Sequence, residues 1–163
     1  AAAAQFIALR INPGIHNKGF EAVTYDPASD RLFAIKERAP RQLFEVAGVQ
    51  HSIDQGRLQI KVADRLGWIT KSVAARALSD GYYDPRTGHL LLLSDQAHSI
   101  TELDSKGRCV STRTRLATFS DPKPSAPQPE GLTTARPGNL HVVSRPNLAC
   151  TLSQGPAHVG NIR

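Results

Sequence analysis

A chain of 163 residues fits a single domain and can bury a sizeable core. With 40% hydrophobic and 21% charged residues it is too apolar and too lightly charged for intrinsic disorder, and no apolar run, Leu90 to Leu93 included, approaches the roughly 18 residues of a membrane span. Twenty Lys and Arg against fourteen Asp and Glu leave a net charge of +6, but the basic residues are scattered, with no zinc-finger spacing or aromatic RNA-binding signature. A solvated basic surface is therefore expected, and nucleic acid is not an expected partner.

Twelve Gly and eleven Pro beside a single Trp suit short segments joined by many turns. Cys109 and Cys150 allow one disulfide at most and fit no metal spacing; Cys109 lies in a strand-like run where a small buried thiol is ordinary. The residues themselves do not reveal a compartment.

In chain order, residues 5–12 read as the last strand of a preceding unit. Glu21-Ala22-Val23-Thr24-Tyr25-Asp26-Pro27 then leads through a turn into Leu32-Phe33-Ala34-Ile35-Lys36. Gln42 to Val46 makes a third strand, and Gly56 to Val62 alternates like an outer fourth strand. Ile69 to Leu78 is a weak helical candidate. The pattern then restarts: Ser79-Asp80-Gly81-Tyr82-Tyr83-Asp84-Pro85, a turn, Leu90 to Ser94, then Ser99 to Leu103 and Cys109 to Thr114. Residues 120–129, with Pro122, Pro124, Pro127 and Pro129, read as an extended connector. A third copy follows in Glu130-Gly131-Leu132-Thr133-Thr134, Arg136-Pro137-Gly138 and Leu140 to Ser144, with one residue fewer in its turn.

The two Tyr-Asp-Pro tripeptides lie 58 residues apart. Each copy reads as a β-hairpin in which Pro fixes φ at the turn and a short apolar run, buried on both faces, forms the returning strand. Asp26 and Asp84 are assigned to Asx-type turn bonds. Four antiparallel strands per repeat of roughly 40–60 residues is the pattern of a β-propeller blade. The expected fold is therefore all-β, with blades at 20–65 and 77–118, a partial blade at 129–148 and a remnant at 5–12 within a single unit 1–163. About three blades do not close a ring, so the chain is expected to be an arc of a larger propeller.

Three motifs in this order resemble the bacterial SdiA-regulated (YjiK-like) family. They are Asn17-Lys18-Gly19-Phe20-Glu21 with Tyr25-Asp26-Pro27; Tyr83 to Leu90 through Leu93-Ser94-Asp95; and Pro127-Gln128-Pro129-Glu130-Gly131 through Ser144-Arg145-Pro146-Asn147-Leu148. Ala22 stands where that family usually has Gly. The resemblance implies a five- or six-bladed propeller, distantly similar to NHL-repeat propellers, in the periplasm or cell envelope. It also implies a membrane anchor outside this segment and a bound calcium ion.

Glu21 and Glu130 occupy one repeat position, before the first strand, which in a propeller lines the central channel. Two carboxylates brought together repel unless a cation joins them, and calcium prefers oxygen ligands. Ser79, at the matching place of the middle copy, is the third candidate ligand. Without an ion, each Glu simply faces channel water. Asp95, Lys36 and Arg145 follow the second strands at nearly equivalent places and are candidates for a ligand face, or else ordinary solvated turn charges. The six histidines show no metal spacing, and His141 inside an apolar strand is expected to be core or half-buried. Two functions follow: a calcium-binding interaction module for a small molecule or envelope protein, or a calcium-dependent hydrolase of a lactone, ester or phosphoester.

Overall fold

The computed structural model describes residues 19–36, 41–72, 77–114, 128–136 and 138–153. The first sheet joins β1 (Phe20–Asp26), β2 (Arg31–Lys36), β3 (Gln42–Ala47) and β4 (Lys61–Asp64) in that order. The second joins β5 (Asp80–Asp84), β6 (His89–Ser94), β7 (Ser99–Leu103) and β8 (Cys109–Thr114), again in order. The third holds β9 (Gln128–Arg136), β10 (Asn139–Arg145) and β11 (Leu148–Ser153), with β10 in the middle. All pairings are antiparallel. The chain is thus all-β with four-stranded antiparallel sheets, as expected. The expected remnant at 5–12 and Pro122, Pro124 and Pro127 lie outside the described residues.

The repeat is visible in the register. Tyr25 faces Leu32 and Tyr83 faces Leu90. In both turns the last residue is left-handed, Asp30 at φ 49° and Gly88 at φ 72°. The Asp26 carboxylate accepts the amides of Ala28 and Ser29 at 3.1 and 3.3 Å, and Asp84 accepts that of Arg86 at 2.9 Å. These are the Asx bonds assigned from the sequence. The third hairpin pairs Thr134 with Leu140 across the shorter turn.

Side chains of β6 point alternately into two cores. Leu90 and Leu92 pack with Phe33, Ile35, Leu43 and Tyr83, whereas Leu91 and Leu93 pack with Ile100, Leu132, Val142 and Leu152. The second sheet is therefore covered on one face by the first and on the other by the third, which is why β6 shows no polar alternation. The leading strands lie side by side, β1 against β5 and β5 against β9. Thr24 Oγ1 accepts the Tyr83 amide at 2.8 Å, and Asp80 Oδ2 accepts the Leu132 amide at 2.6 Å. A Cβ on Gly81 would collide with Ile35 Cδ1, so the first two sheets approach too closely there for any side chain.

Between β3 and β4 the chain departs from the expected outer strand at Gly56 to Val62. It forms α1 (Val49–Asp54) instead, after Gly48 at φ 84°. The Asp30 carboxylate, 20 residues upstream, accepts the amides of Gln50 and His51 at 2.8 and 2.9 Å and so caps this helix across space. Ser52 Oγ accepts the Gln59 amide at 2.8 Å, holding the following loop off the ladder until Lys61. The weak helical candidate at Ile69 to Leu78 corresponds to α2 (Leu66–Ser72), which starts earlier. It buries Ile69 and brings Trp68 against Phe33 and Gly107. Among the described residues no helix is long and apolar enough to cross a membrane.

Both cysteines are free. Cys109 is exposed, not buried as expected, because β8 is the outer strand of its sheet. Cys150 packs against the second core, and burial pushes its thiol pKa up. His141 is half-buried, its Nδ1 2.9 Å from Thr151 Oγ1.

Asp26 anchors the first hairpin. Fully buried, it receives Arg31 Nε and Nη2 at 3.1 and 2.8 Å, with the Tyr83 hydroxyl of the second sheet nearby. Burial alone would raise its pKa; the bonds from Arg31 and Ser29, with the Tyr83 hydroxyl, outweigh it and hold the carboxyl below its ordinary value. A depressed carboxyl stabilises the fold above its unfolded pKa of about 4, and that contribution is lost as pH falls through the lower folded value. Asp26→Asn should therefore cost about 1–3 kcal/mol at neutral pH. Its melting temperature should also fall less steeply than the parent's between about pH 4 and pH 2, as thermal melts across that range would measure.

Candidate functional site

The residues proposed from the sequence as metal ligands or ligand face, Glu21, Ser79, Glu130, Lys36, Asp95 and Arg145, lie at one end of the sheets, where first strands begin and second strands finish. In the first sheet Phe20 pairs with Lys36 and Ala22 with Ile35, so Glu21 is the extra residue of a β-bulge. In the third, Pro129 pairs with Ser144 and Gly131 with Val143, and Glu130 is the extra residue. In the middle sheet Asp80 pairs with Leu93 while the Ser79 amide donates to the same Leu93 carbonyl at 2.9 Å. The first and third sheets thus open on a bulge at the aligned position, and in the middle sheet the aligned Ser79 bonds to Leu93 just outside β5. A bulge turns a side chain out of the alternation of its strand, and such kinks are common beside functional sites. Gly131, next to Glu130, fits the close passage of β10: a Cβ there would stand 2.7 Å from Val143 Cγ2.

The second-strand residues are nearly equivalent, as the repeat implies. By register Lys36 matches Ser94 and Ser144, while Asp95 and Arg145 stand one residue further on. Lys36, Ser94 and Ser144 are all buried, whereas Arg145 is exposed and Asp95 half-buried in the turn.

Glu130 and Arg145 are brought together, with Arg145 Nε 3.2 Å from Glu130 Oε1. Glu21 is exposed on its bulge. Among the described residues no three His, Cys, Asp or Glu side chains gather as a metal-binding group. Glu21 and Glu130 are oxygen donors of the kind calcium takes, at equivalent places of one sheet end, but an ion at Glu130 would compete with the Arg145 guanidinium.

A second feature of this end was not legible in the sequence. Among the described residues four buried side-chain polar atoms lack a hydrogen-bond partner: Gln42 Oε1, Ser79 Oγ, Asp95 Oδ1 and His98 Nδ1. Gln42 pairs with Lys36, Ser79 precedes β5, and Asp95 and His98 bound the turn after β6, so all four cluster at the candidate end. A buried polar group left unpaired costs about 1–3 kcal/mol, so such a concentration marks a place built to be completed by something else. Gln42 and His98 escaped sequence reading because neither belongs to a repeat motif. The one available signal was the Asp-x-x-His spacing around a four-residue turn.

The opposite end holds other polar groups. His89 Nδ1 lies 2.6 Å from Glu102 Oε1, and Ser111 donates to Glu102 Oε2 at 2.7 Å. Burial raises the Glu102 pKa, but the bonds from His89 and Ser111 bring it below its ordinary value. Here too lies a cleft of about 190 Å³ lined by Tyr82, Asp84, Arg86 and Thr134, among others, which is small for a ligand site. Neither feature touches the bulged ends.

An all-β array of antiparallel sheets that share one hairpin register is a repeat protein in which equivalent side chains recur at a common face. The SdiA-regulated family matches residues 1–153, and the chain belongs to that family.

The Arg145 and Glu130 side chains are 71% and 42% exposed, so their pairing adds little to the fold. In metal-free buffer, Arg145→Ala should change the unfolding free energy by less than about 1 kcal/mol in a urea titration; a larger loss would make the pair structural.

Proposed function

We propose that this chain is an arc of a β-propeller whose bulged face is a binding surface, and that the protein acts as a binding module in the cell envelope and not as a hydrolase. The observation that carries this reading is the bulge recurring at Glu21 and Glu130, with Ser79 at the aligned place before β5, so that three polar residues take equivalent positions at one end of the sheets. The side-by-side order of β1, β5 and β9 supports the propeller. The envelope location and an anchor outside this segment are extended from what the family resemblance implies.

Calcium is proposed as the ion of this face, with Glu21 and Glu130 holding it and Ser79 as an auxiliary oxygen. Bound, it would neutralise the two carboxylates and order the surface on which a small molecule or envelope partner docks. Lys36, Asp95 and Arg145 are proposed to surround that ligand. The hydrolase reading has less support, since the partly buried His–carboxylate pair His89–Glu102 sits at the opposite end.

The test is calcium-linked stability. An ion that binds only the folded chain stabilises it by about 2.7 kcal/mol at a hundredfold excess over Kd. Calcium should raise the parent's melting temperature above its value in chelator, Glu130→Gln should lose most of that increment, and Arg145→Ala, which removes the competing cation, should gain. Identical melts of parent and Glu130→Gln in calcium and in chelator would refute the ion. Chelator-sensitive turnover of a lactone, aryl ester or phosphoester would instead establish the hydrolase.

A further inference from the structure

The third sheet carries its own answer to the charge at its bulged end, because Arg145 neutralises Glu130. At the same two register positions the second sheet has Asp95 in place of the arginine and Ser79 in place of the glutamate. The cation has been replaced by a carboxylate, and Asp95 Oδ1 and Ser79 Oγ are buried without hydrogen-bond partners. His98 adds a third such atom, Nδ1. The turn brings the last two residues round, with the His98 amide donating to the Asp95 carbonyl at 3.3 Å, the Ala97 amide to Ser94 Oγ at 3.2 Å, and His98 left-handed at φ 44°.

We propose that Asp95, His98 and Ser79 form a binding site for a divalent transition-metal ion such as Zn²⁺, Mn²⁺ or Co²⁺. A carboxylate oxygen and an imidazole nitrogen, both withdrawn from solvent and both without a hydrogen-bond partner, are the two ligand types such ions accept together, and the Ser79 hydroxyl is a third such atom at the same end of the second sheet. Calcium, an oxygen-seeking ion, leaves the imidazole nitrogen unsatisfied, which separates this site from the calcium proposed above. The site shares Ser79 and Asp95 with that reading, but neither Glu21 nor Glu130, the two carboxylates proposed to hold calcium, belongs to it. In the second sheet the ion supplies the positive charge that Arg145 supplies in the third.

Cobalt(II) is the probe, because its visible absorption reports nitrogen and oxygen ligation directly. The chain is stripped of metal and carries Cys109→Ser to remove the exposed thiol. Titration should show one cobalt ion bound per chain, displaced by zinc and not by equimolar calcium. Asp95→Asn and His98→Gln should each weaken binding at least about tenfold, and Glu130→Gln should leave it unchanged. Metal-free melts identify any variant that fails to fold, in which case the other variant decides. The proposal is overturned if the parent binds no cobalt, if a folded Asp95→Asn or His98→Gln binds it with parental affinity, or if calcium displaces it. Failure here leaves the calcium-linked melts untouched, so the two readings fall separately.

Discussion

Four consecutive leucines cannot form one strand of a sheet that turns a face to water. Alternation sends Leu90 and Leu92 to one side and Leu91 and Leu93 to the other, so both sides need cover. The first and third sheets provide it, and the rest of the structure depends on that condition. Sheets stacked face to face in sequence order place their leading strands side by side, β1, β5, β9, all entering from the same end. The close approach at Gly81, the bonds from Thr24 to the Tyr83 amide and from Asp80 to the Leu132 amide, and the buried Asp26 cluster follow from that contact.

The same stacking explains why the candidate residues gather at one end. Repeated sheets present equivalent positions on a common face, and a bulge at the start of β1 and of β9 frees one residue of each from alternation. Glutamate takes the aligned position twice and serine once. What differs between sheets is the answering charge. The third sheet is self-neutralised through Arg145, and the second is left with a carboxylate oxygen, an imidazole nitrogen and a hydroxyl that lack hydrogen-bond partners. A repeat architecture can in this way give its sheets different binding chemistry by changing two residues without disturbing the ladder.

Much of the fold was legible because hairpins announce themselves locally. Asp-Pro with a left-handed residue four positions into the turn specifies a register, and apolar runs specify burial on both faces. The helix α1 was not legible, since its six residues carry no periodicity and its cap, Asp30, comes from a distant turn. The displaced fourth strand follows from the same cap and from the Ser52–Gln59 bond. The alignment identified Glu21, Ser79 and Glu130 as equivalent, but it could not show that Glu21 and Glu130 are bulged, because a bulge is a relation between two strands. It did set Lys36 level with Ser94 and Ser144, which the register bears out. His98 belongs to no repeat motif, and among the described histidines its buried Nδ1 without a partner sets it apart.

Burial of β6 on both faces is the claim on which this account stands, and core truncation measures it directly. Leu92→Ala opens the core shared with the first sheet, and Leu93→Ala the core shared with the third. Chemical denaturation should give a loss of about 2–5 kcal/mol for each, whereas Val143→Ala, at a side chain 52% exposed, should stay within about 0.5 kcal/mol. A cost below about 1 kcal/mol for either leucine would mean that one face of the second sheet is open to water, and the stacking described here would be wrong.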